Sequence, residues 1–468
     1  MKIRVENLGP IKNGEIDLSK KFYVFVGYNN TGKTYMAQVL WSVLDFWFEN
    51  KLFHHIYSFE TDFPKSFDID AEWTFNAKPM FAYYEDKLTQ KIIEELNNEN
   101  LGAFKLDLSD LYRQFNQEKI IYKLSSAPNL FFIFEKQEYN DNVTIKRVVE
   151  SEFDSIQSIF ERSIFSDEKP TDYVYDFITQ SLNINDLGYP TFLPANRTFY
   201  PTFYRYIYQV AKEQKEQIDR AIRQGKDLDA IKKMAKRDYT TAMDRLTSLM
   251  ESIPSKKPTE VYTNLLDELK IIMNGEIEIH RREGIAPIEF KFKFNGHYLD
   301  MHSASSSVNQ LTALYLYLKY WASTENDFLI VDEPEENEHP KNQIALLNLL
   351  MKFANRNNNK VLITTHSPLI TDAVNNHLHL GYVKSLGGDI DKIIRDNNLD
   401  IDPEAAMAHE DIGIYFFDGE TIKSYEVGDY GVFFKDFKRE EEKIQETNDI
   451  LRDYIYNYNK QKLNHNLK

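Results

Sequence analysis

The sequence has no cysteine among its 468 residues. Disulfide scaffolds, cysteine-ligated zinc, iron–sulfur clusters and thiol nucleophiles are therefore excluded. It also lacks any apolar run near the roughly 18 residues that a membrane-spanning helix needs. The opening Met1-Lys2-Ile3-Arg4-Val5-Glu6 alternates polar and apolar residues, unlike the continuous apolar stretch of a signal peptide. The expectation is a soluble cytoplasmic protein with no membrane contact. Positive charge is in deficit, since 56 Lys and Arg against 73 Asp and Glu give a net charge of −17. That balance opposes a surface that coats polyanions as a whole and leaves only a local basic patch for such contact. No internal repeat or low-complexity linker is present. Apolar residues are abundant, with 42% hydrophobic and 14% aromatic, which rules out wholesale disorder. The length, about three times that of a typical domain, predicts two or three packed units.

The first 50 residues read as strand, strand, strand, loop, helix. Ile3 and Val5 alternate, Gly14–Leu18 forms a second extended piece, and Phe22–Val26 is a near-continuous apolar run suited to a strand buried on both faces. After the loop at 27–33, Met36, Val39, Leu40, Val43, Leu44 and Trp47 recur at helical spacing over Thr34–Phe48. This order opens an α/β nucleotide-binding unit. The stretch 50–190 gives a weaker pattern, with strands at Leu130–Phe134 and Val143–Val149 and a helix at Glu85–Asn97. A short extended piece ends at Phe192–Arg197, followed by a long helical stretch over 201–251 that Pro254 and Pro258 interrupt and a helix over 259–273. Residues 190–275 thus read as a helical arm inserted between two halves of a core. Residues 276–302 return to the core through a hairpin. In it Ile288, Phe290, Phe292 and Phe294 share one face, and Asn295-Gly296 supplies a type I′ turn. A serine-rich loop, a helix at 308–322, a strand at 328–331, a helix at 341–354 and a strand at 360–364 follow. The tail alternates strands at Ile414–Phe417 and Thr421–Tyr425 with a charged helix near 436–457.

Gly27-Tyr28-Asn29-Asn30-Thr31-Gly32-Lys33-Thr34 matches the phosphate-binding pattern G-x-x-x-x-G-K-[ST]. Glycines let backbone N–H groups wrap a β-phosphate, Lys33 reaches the β- and γ-phosphates of ATP, and the Thr34 hydroxyl ligates Mg²⁺. Tyr35 opens the helix whose positive end faces the same phosphates. Phe328–Asp332-Glu333 is an apolar strand ending in two carboxylates, so Asp332 suits a second metal contact and Glu333 the orientation or deprotonation of an attacking water. Val361–Thr364-Thr365-His366-Ser367-Pro368 is another apolar strand ending in polar residues, where His366 could bond the γ-phosphate. Lys212–Arg237 holds nine Lys/Arg against five Asp/Glu. It is either a DNA-contacting arm or a solvated face. Asn357-Asn358-Asn359 reads as a loop, His377 and His379 as part of a short apolar turn, and His54-His55 as an isolated pair.

These motifs, in this order, resemble the ATP-binding-cassette type ATPases of the SMC, RecF and OLD-like superfamily, in particular bacterial AAA family ATPases. The resemblance is carried by Asn7-Leu8-Gly9-Pro10-Ile11, Leu193-Pro194-Ala195-Asn196-Arg197, Asp332-Glu333-Pro334-Glu335 with His339-Pro340, Thr364–Pro368 and Tyr415–Gly419. It covers about residues 1–50 and 190–450. It implies an ABC-type P-loop ATPase core, a mixed sheet flanked by helices, at 1–50 and 300–450. It further implies a homodimer or higher homo-oligomer in which a signature loop completes the partner's site in trans. Here that loop is Ser303–Val308, with Ser305 and Ser306 as the contacts. Ser306 and Ser307 stand where many relatives have glycine, and Glu338 replaces an apolar residue before His339. No TOPRIM-type metal domain is recognisable in the final 90 residues. The chain therefore resembles the ATPase subunit of two-component anti-phage systems of the Septu or PARIS kind, which control a separate nuclease or toxin. A RecF-like DNA repair ATPase and a nucleotide-bound scaffold with little turnover are the rival readings. Arg197 is either a functional group or a member of a structural salt bridge.

Overall fold

A computed structural model describes residues 1–48, 72–96, 101, 103–110, 119–124, 130–136, 142–149, 161–164, 187–227, 241–253, 256–282, 285–399, 401–434 and 443–456. His54-His55, Pro254 and the 228–237 portion of the basic stretch lie outside the described residues.

In chain order the strands are β1 (Lys2–Leu8), β2 (Ile11–Asp17), β3 (Phe22–Gly27), β4 (Glu72–Asn76), β5 (Lys105–Asp107), β6 (Lys119–Leu124), β7 (Leu130–Lys136) and β8 (Asn142–Val149), then β9 (Glu161–Ile164) and β10 (Tyr189–Leu193). They continue as β11 (Glu276–Arg282), β12 (Ile285–Phe294), β13 (His297–Asp300), β14 (Asp327–Asp332), β15 (Lys360–Thr365), β16 (Ile412–Phe417) and β17 (Ile422–Tyr425). The central sheet runs β10-β14-β15-β3-β16-β17. Its first five strands are parallel, and β17 pairs antiparallel with β16 at the edge. All six residues of β3, β14, β15 and β16 are buried. Their apolar runs can be hidden only in the middle of a sheet covered on both faces.

Alternation then assigns the side chains. Tyr23, Phe25, Phe328, Ile330 and Leu362 join a core with the β1–β2 pair and the helices Lys33–Phe48 and Ala77–Glu95. Phe22, Val24, Val26, Leu329, Val331, Val361 and Ile363 join a second core on the other face, with the helices Thr263–Met273, Ser306–Leu316 and Pro340–Ala354. Each fully buried large apolar side chain contributes roughly 1.5–3 kcal/mol. These two layers enclose the sheet between helices, as the α/β reading predicts.

Several elements differ from the sequence expectation. Among the described residues the long helical stretch contains the helices Phe199–Arg223 and Thr241–Ser252, the first ending in a turn at 224–225. Thr241–Ser252 buries Leu246 and Met250 completely, so it packs into the core instead of extending as an arm. The hairpin is a three-stranded meander, because β11 pairs along β12 on the edge away from β13. Its Asn295-Gly296 turn does adopt positive φ, 47° and 79°. The expected helix at 308–322 is Ser306–Leu316 followed by a π-turn at Tyr317–Trp321. His377 and His379 lie on the helix Pro368–Ser385 and not in a turn. Asn359 does more than close a loop: it is fully buried, donates to Tyr262 Oη at 2.8 Å and accepts from the Asp327 amide. The stretch 72–164 supplies a separate sheet, β4-β8-β7-β6-β9, while β5 extends the β1–β2 pair. The charged terminal helix is described over 443–456.

Candidate active site

Because the central strands are parallel, their C-terminal ends share one edge of the sheet, where ligands bind in α/β folds. Register sharpens this: Asp332 pairs with Thr364, Thr365 with Val26, and Phe417 with Gly27. The loop after β3 therefore sits beside the ends of β14, β15 and β16. Gly27 and Gly32 are needed for close approach. A Cβ at Gly27 would lie 2.5 Å from the Phe417 carbonyl, and one at Gly32 would lie 2.7 Å from the Ile11 side chain, where φ is also +96°. The Asn7–Ile11 turn thus braces the phosphate loop from below, which gives that sequence phrase a structural reason.

A cleft of 420 Å³ is lined by Asn29, Asn30, Thr31, Gly32, Lys33, Thr34 and Tyr35, together with Pro10, Glu333 and His366. Lys33 is almost buried, and its ammonium donates to the carbonyls of Gly27 at 2.9 Å and Tyr28 at 2.8 Å. Burial lowers its pKa, opposed by Glu333, Asp332 and Glu335. The Thr34 hydroxyl lies 3.0 Å from both carboxylate oxygens of Asp332, which also accepts from the Thr364 hydroxyl. Burial raises the Asp332 pKa, against these hydroxyl bonds. A buried carboxylate and a hydroxyl are hard oxygen donors. This set fits Mg²⁺, which takes one or two protein oxygens beside phosphate and water.

Glu333 follows with φ of 47°; among the described residues every other positive-φ position is glycine or asparagine. A left-handed, unbranched non-glycine residue costs about 1–2 kcal/mol. The strain turns the side chain toward His366, whose Nδ1 is 3.3 Å from Glu333 Oε1. That contact lowers the Glu333 pKa and raises that of His366. Glu333 is thus held as a carboxylate at the rim of the cleft, the state a water-orienting group requires. Thr365 and the His366 amide both donate to Glu335, whose carboxyl pKa is raised by burial.

The structure does not bring Ser305 and Ser306 into this cleft. Both are exposed at the start of the helix Ser306–Leu316, and Ser305 accepts from the Val308 amide as its N-cap. Ser307 donates to Glu338 at 2.9 Å, and Glu338 accepts also from Asn342, so these two unusual residues bond each other. Among the described residues Arg197 forms no salt bridge of the kind weighed from the sequence. It is 1% exposed and its bonds run to main-chain carbonyls. Residue types alone also missed Thr364, Thr365 and Glu335. The signal available for Thr364 was its place at the end of a strand expected beside that of Asp332.

A family model described as AAA ATPase domain matches residues 1–371. No curated protein matches the chain. Among solved structures, it is similar to the Smc head domain with an extended coiled coil bound to the C-terminal domain of ScpA from Pyrococcus furiosus, at 12% identity over 96% of this chain and 98% of that one, with a TM-score of 0.33. It is likewise similar to the SmcHead bound to the C-winged helix domain of ScpA, at 13% identity, 91% and 97% coverage and a TM-score of 0.34. The SMC head domain from Thermotoga maritima is similar at 10% identity, 91% and 98% coverage and a TM-score of 0.29. With a glycine-bearing loop, a buried metal-type carboxylate and a strained glutamate gathered at one sheet edge, and the family match spanning all three, the chain belongs to the AAA ATPase domain family.

Proposed function

We propose that the chain is a switch in which ATP, bound with Mg²⁺, closes two or more copies and hydrolysis reopens them. The observation that carries this reading is the Thr34–Asp332 contact at 3.0 Å, beside Lys33 and below the Glu333–His366 pair. Lys33 would hold the β- and γ-phosphates, Thr34 and Asp332 the metal, Glu333 the attacking water and His366 the γ-phosphate. Mg²⁺, when bound, supplies neutralisation of the charge on the transferring phosphoryl group. The exposure of Ser305 and Ser306, outside their own chain's cleft, supports their acting on the nucleotide of a second copy. The sequence resemblance supports a role in bacterial anti-phage defence, with the output delivered by a separate nuclease or toxin.

A second reading rests on Lys212, Lys215, Arg220, Arg223 and Lys226, all exposed on 199–227. These cations, interspersed with the exposed Glu213, Glu216 and Asp219 and with Arg220 paired to Glu216, would make DNA the partner, with hydrolysis stimulated by it.

The test is purification of the Glu333→Gln protein with ATP and Mg²⁺, with mass spectrometry of what accompanies it. A stoichiometric nuclease or toxin-like protein supports the gated-effector reading. Recovery of DNA with repair factors, and DNA-stimulated hydrolysis by the wild type, replaces it with the repair reading.

A further inference from the structure

Arg197 sits on the short 3-10 turn Ala195–Thr198, directly after β10. Its guanidinium is buried, yet its bonds go to carbonyls drawn from three separate segments. Nε donates to Gln310 at 3.0 Å, Nη1 to Pro194 at 3.0 Å and to Asp332 at 2.6 Å, and Nη2 to Glu333 at 3.2 Å. Burial draws its pKa down to about 10, with Asp332, Glu336, Glu335 and Glu338 sustaining the charge, so it remains a cation at neutral pH.

Two of the four acceptors are the carbonyls on either side of the Glu333 amide and α-carbon. The amide of the same residue donates to the Thr364 hydroxyl at 3.0 Å. The backbone of Glu333 is therefore gripped at the preceding carbonyl, at its own N–H and at its own carbonyl. This is the one described position where a side chain other than asparagine takes a left-handed φ. A strained conformation persists only where the surroundings over-determine it, and a planar fork of donors is suited to that task. The fourth acceptor, Gln310, lies on the helix that Ser305 caps.

We propose that Arg197 is a positioning residue for hydrolysis: it holds the Glu333 backbone left-handed, so that the carboxylate faces the cleft, and ties that backbone to the helix Ser306–Leu316. This rests on the ATPase reading above. It differs from a general structural role, which would weaken folding, binding and turnover together.

Arg197→Lys keeps a cation but replaces the fork with a single ammonium. The expected result is a dissociation constant for a fluorescent ATP analogue within about two-fold of wild type, with an unchanged KM and a kcat lower by about ten-fold or more. Amide hydrogen exchange should rise across 333–338 while holding steady across 27–40. A kcat within about two-fold of wild type, or one that falls only in step with affinity and melting temperature, overturns the inference. Should the wild type bind the analogue without hydrolysing it, the ATPase reading fails, and the exchange comparison still decides the positioning role. If Arg197→Lys does not fold, Thr364→Val removes the grip on the Glu333 amide from the opposite side. Because that hydroxyl also bonds Asp332, the readout is exchange in the nucleotide-free protein: it should rise across 333–338, with Thr364→Ser restoring it. Wild-type exchange in Thr364→Val would show that Glu333 needs no such grip, and the inference falls.

Discussion

Glu333 and His366 form the most informative pair in the molecule. The hydrogen bond that His366 donates to Glu333 is the largest influence raising the His366 pKa, with burial opposing it, Glu335 adding to it and Lys33 opposing it. Glu333 moves down, first through the same bond. The signs define a window. The His366 side of the pair contributes stability fully present below the ordinary histidine value of 6.5, and loses it as pH rises through the raised value. The Glu333 side holds above 4.5 and is lost as pH falls through its lowered value. In the nucleotide-free protein, an NMR titration of His366 should show a midpoint above 6.5, and Glu333→Gln should bring it back down. An equal midpoint in both proteins would show that the pair does not form in solution. The types of these residues were legible, because a phosphate loop, a carboxylate pair and a histidine must appear at strand ends for this chemistry. The partner of Arg197 was not, since an arginine that bonds carbonyls leaves no complementary charge in the sequence to find.

Among the elements, apolar runs marked β3, β14, β15 and β16 well, because strands buried on both faces admit little else. Helical periodicity was less discriminating. It could not see the turn at 224–225, nor distinguish the buried helix Thr241–Ser252 from an exposed arm, since both carry apolar residues at the same spacing. The helix Pro368–Ser385 was missed, and it holds His377 fully inside, with Met407 N–H donating to its carbonyl. Burial drives the His377 pKa down to about 4, against a weaker pull from Asp402. The unfolded chain therefore binds a proton that the folded chain refuses between about 6.5 and about 4. The stability this group contributes is present above 6.5 and is lost as pH falls toward 4. Between pH 7.5 and pH 5 the wild type should lose about 2 kcal/mol more than His377→Leu in urea unfolding, from roughly 1.4 kcal/mol per pKa unit. Equal losses would place His377 in contact with water.

For the whole molecule, the proposed ATP-driven association is the property to measure. Glu333→Gln, which binds but should not hydrolyse, is expected to sediment as a dimer or larger species with ATP and Mg²⁺ and as a smaller one without them. Lys33→Ala should stay small in both conditions, having lost its phosphate contact. Association by Lys33→Ala equal to that of Glu333→Gln would disconnect oligomerisation from the nucleotide. By itself the sequence determined the fold class, the phosphate loop and the placing of Asp332 and Glu333 at a strand end. Each of these rests on local patterns: a run, a spacing, a residue type at a strand end. Only the tertiary structure decided which atoms meet. Strand register set Thr364 against Asp332, the sheet edge brought Asn7–Ile11 beneath the phosphate loop, and Arg197 reached Gln310 and Glu333 across more than a hundred residues. The physical reason is that hydrogen bonds to main-chain carbonyls depend on where the backbone passes, and every residue type offers that same acceptor.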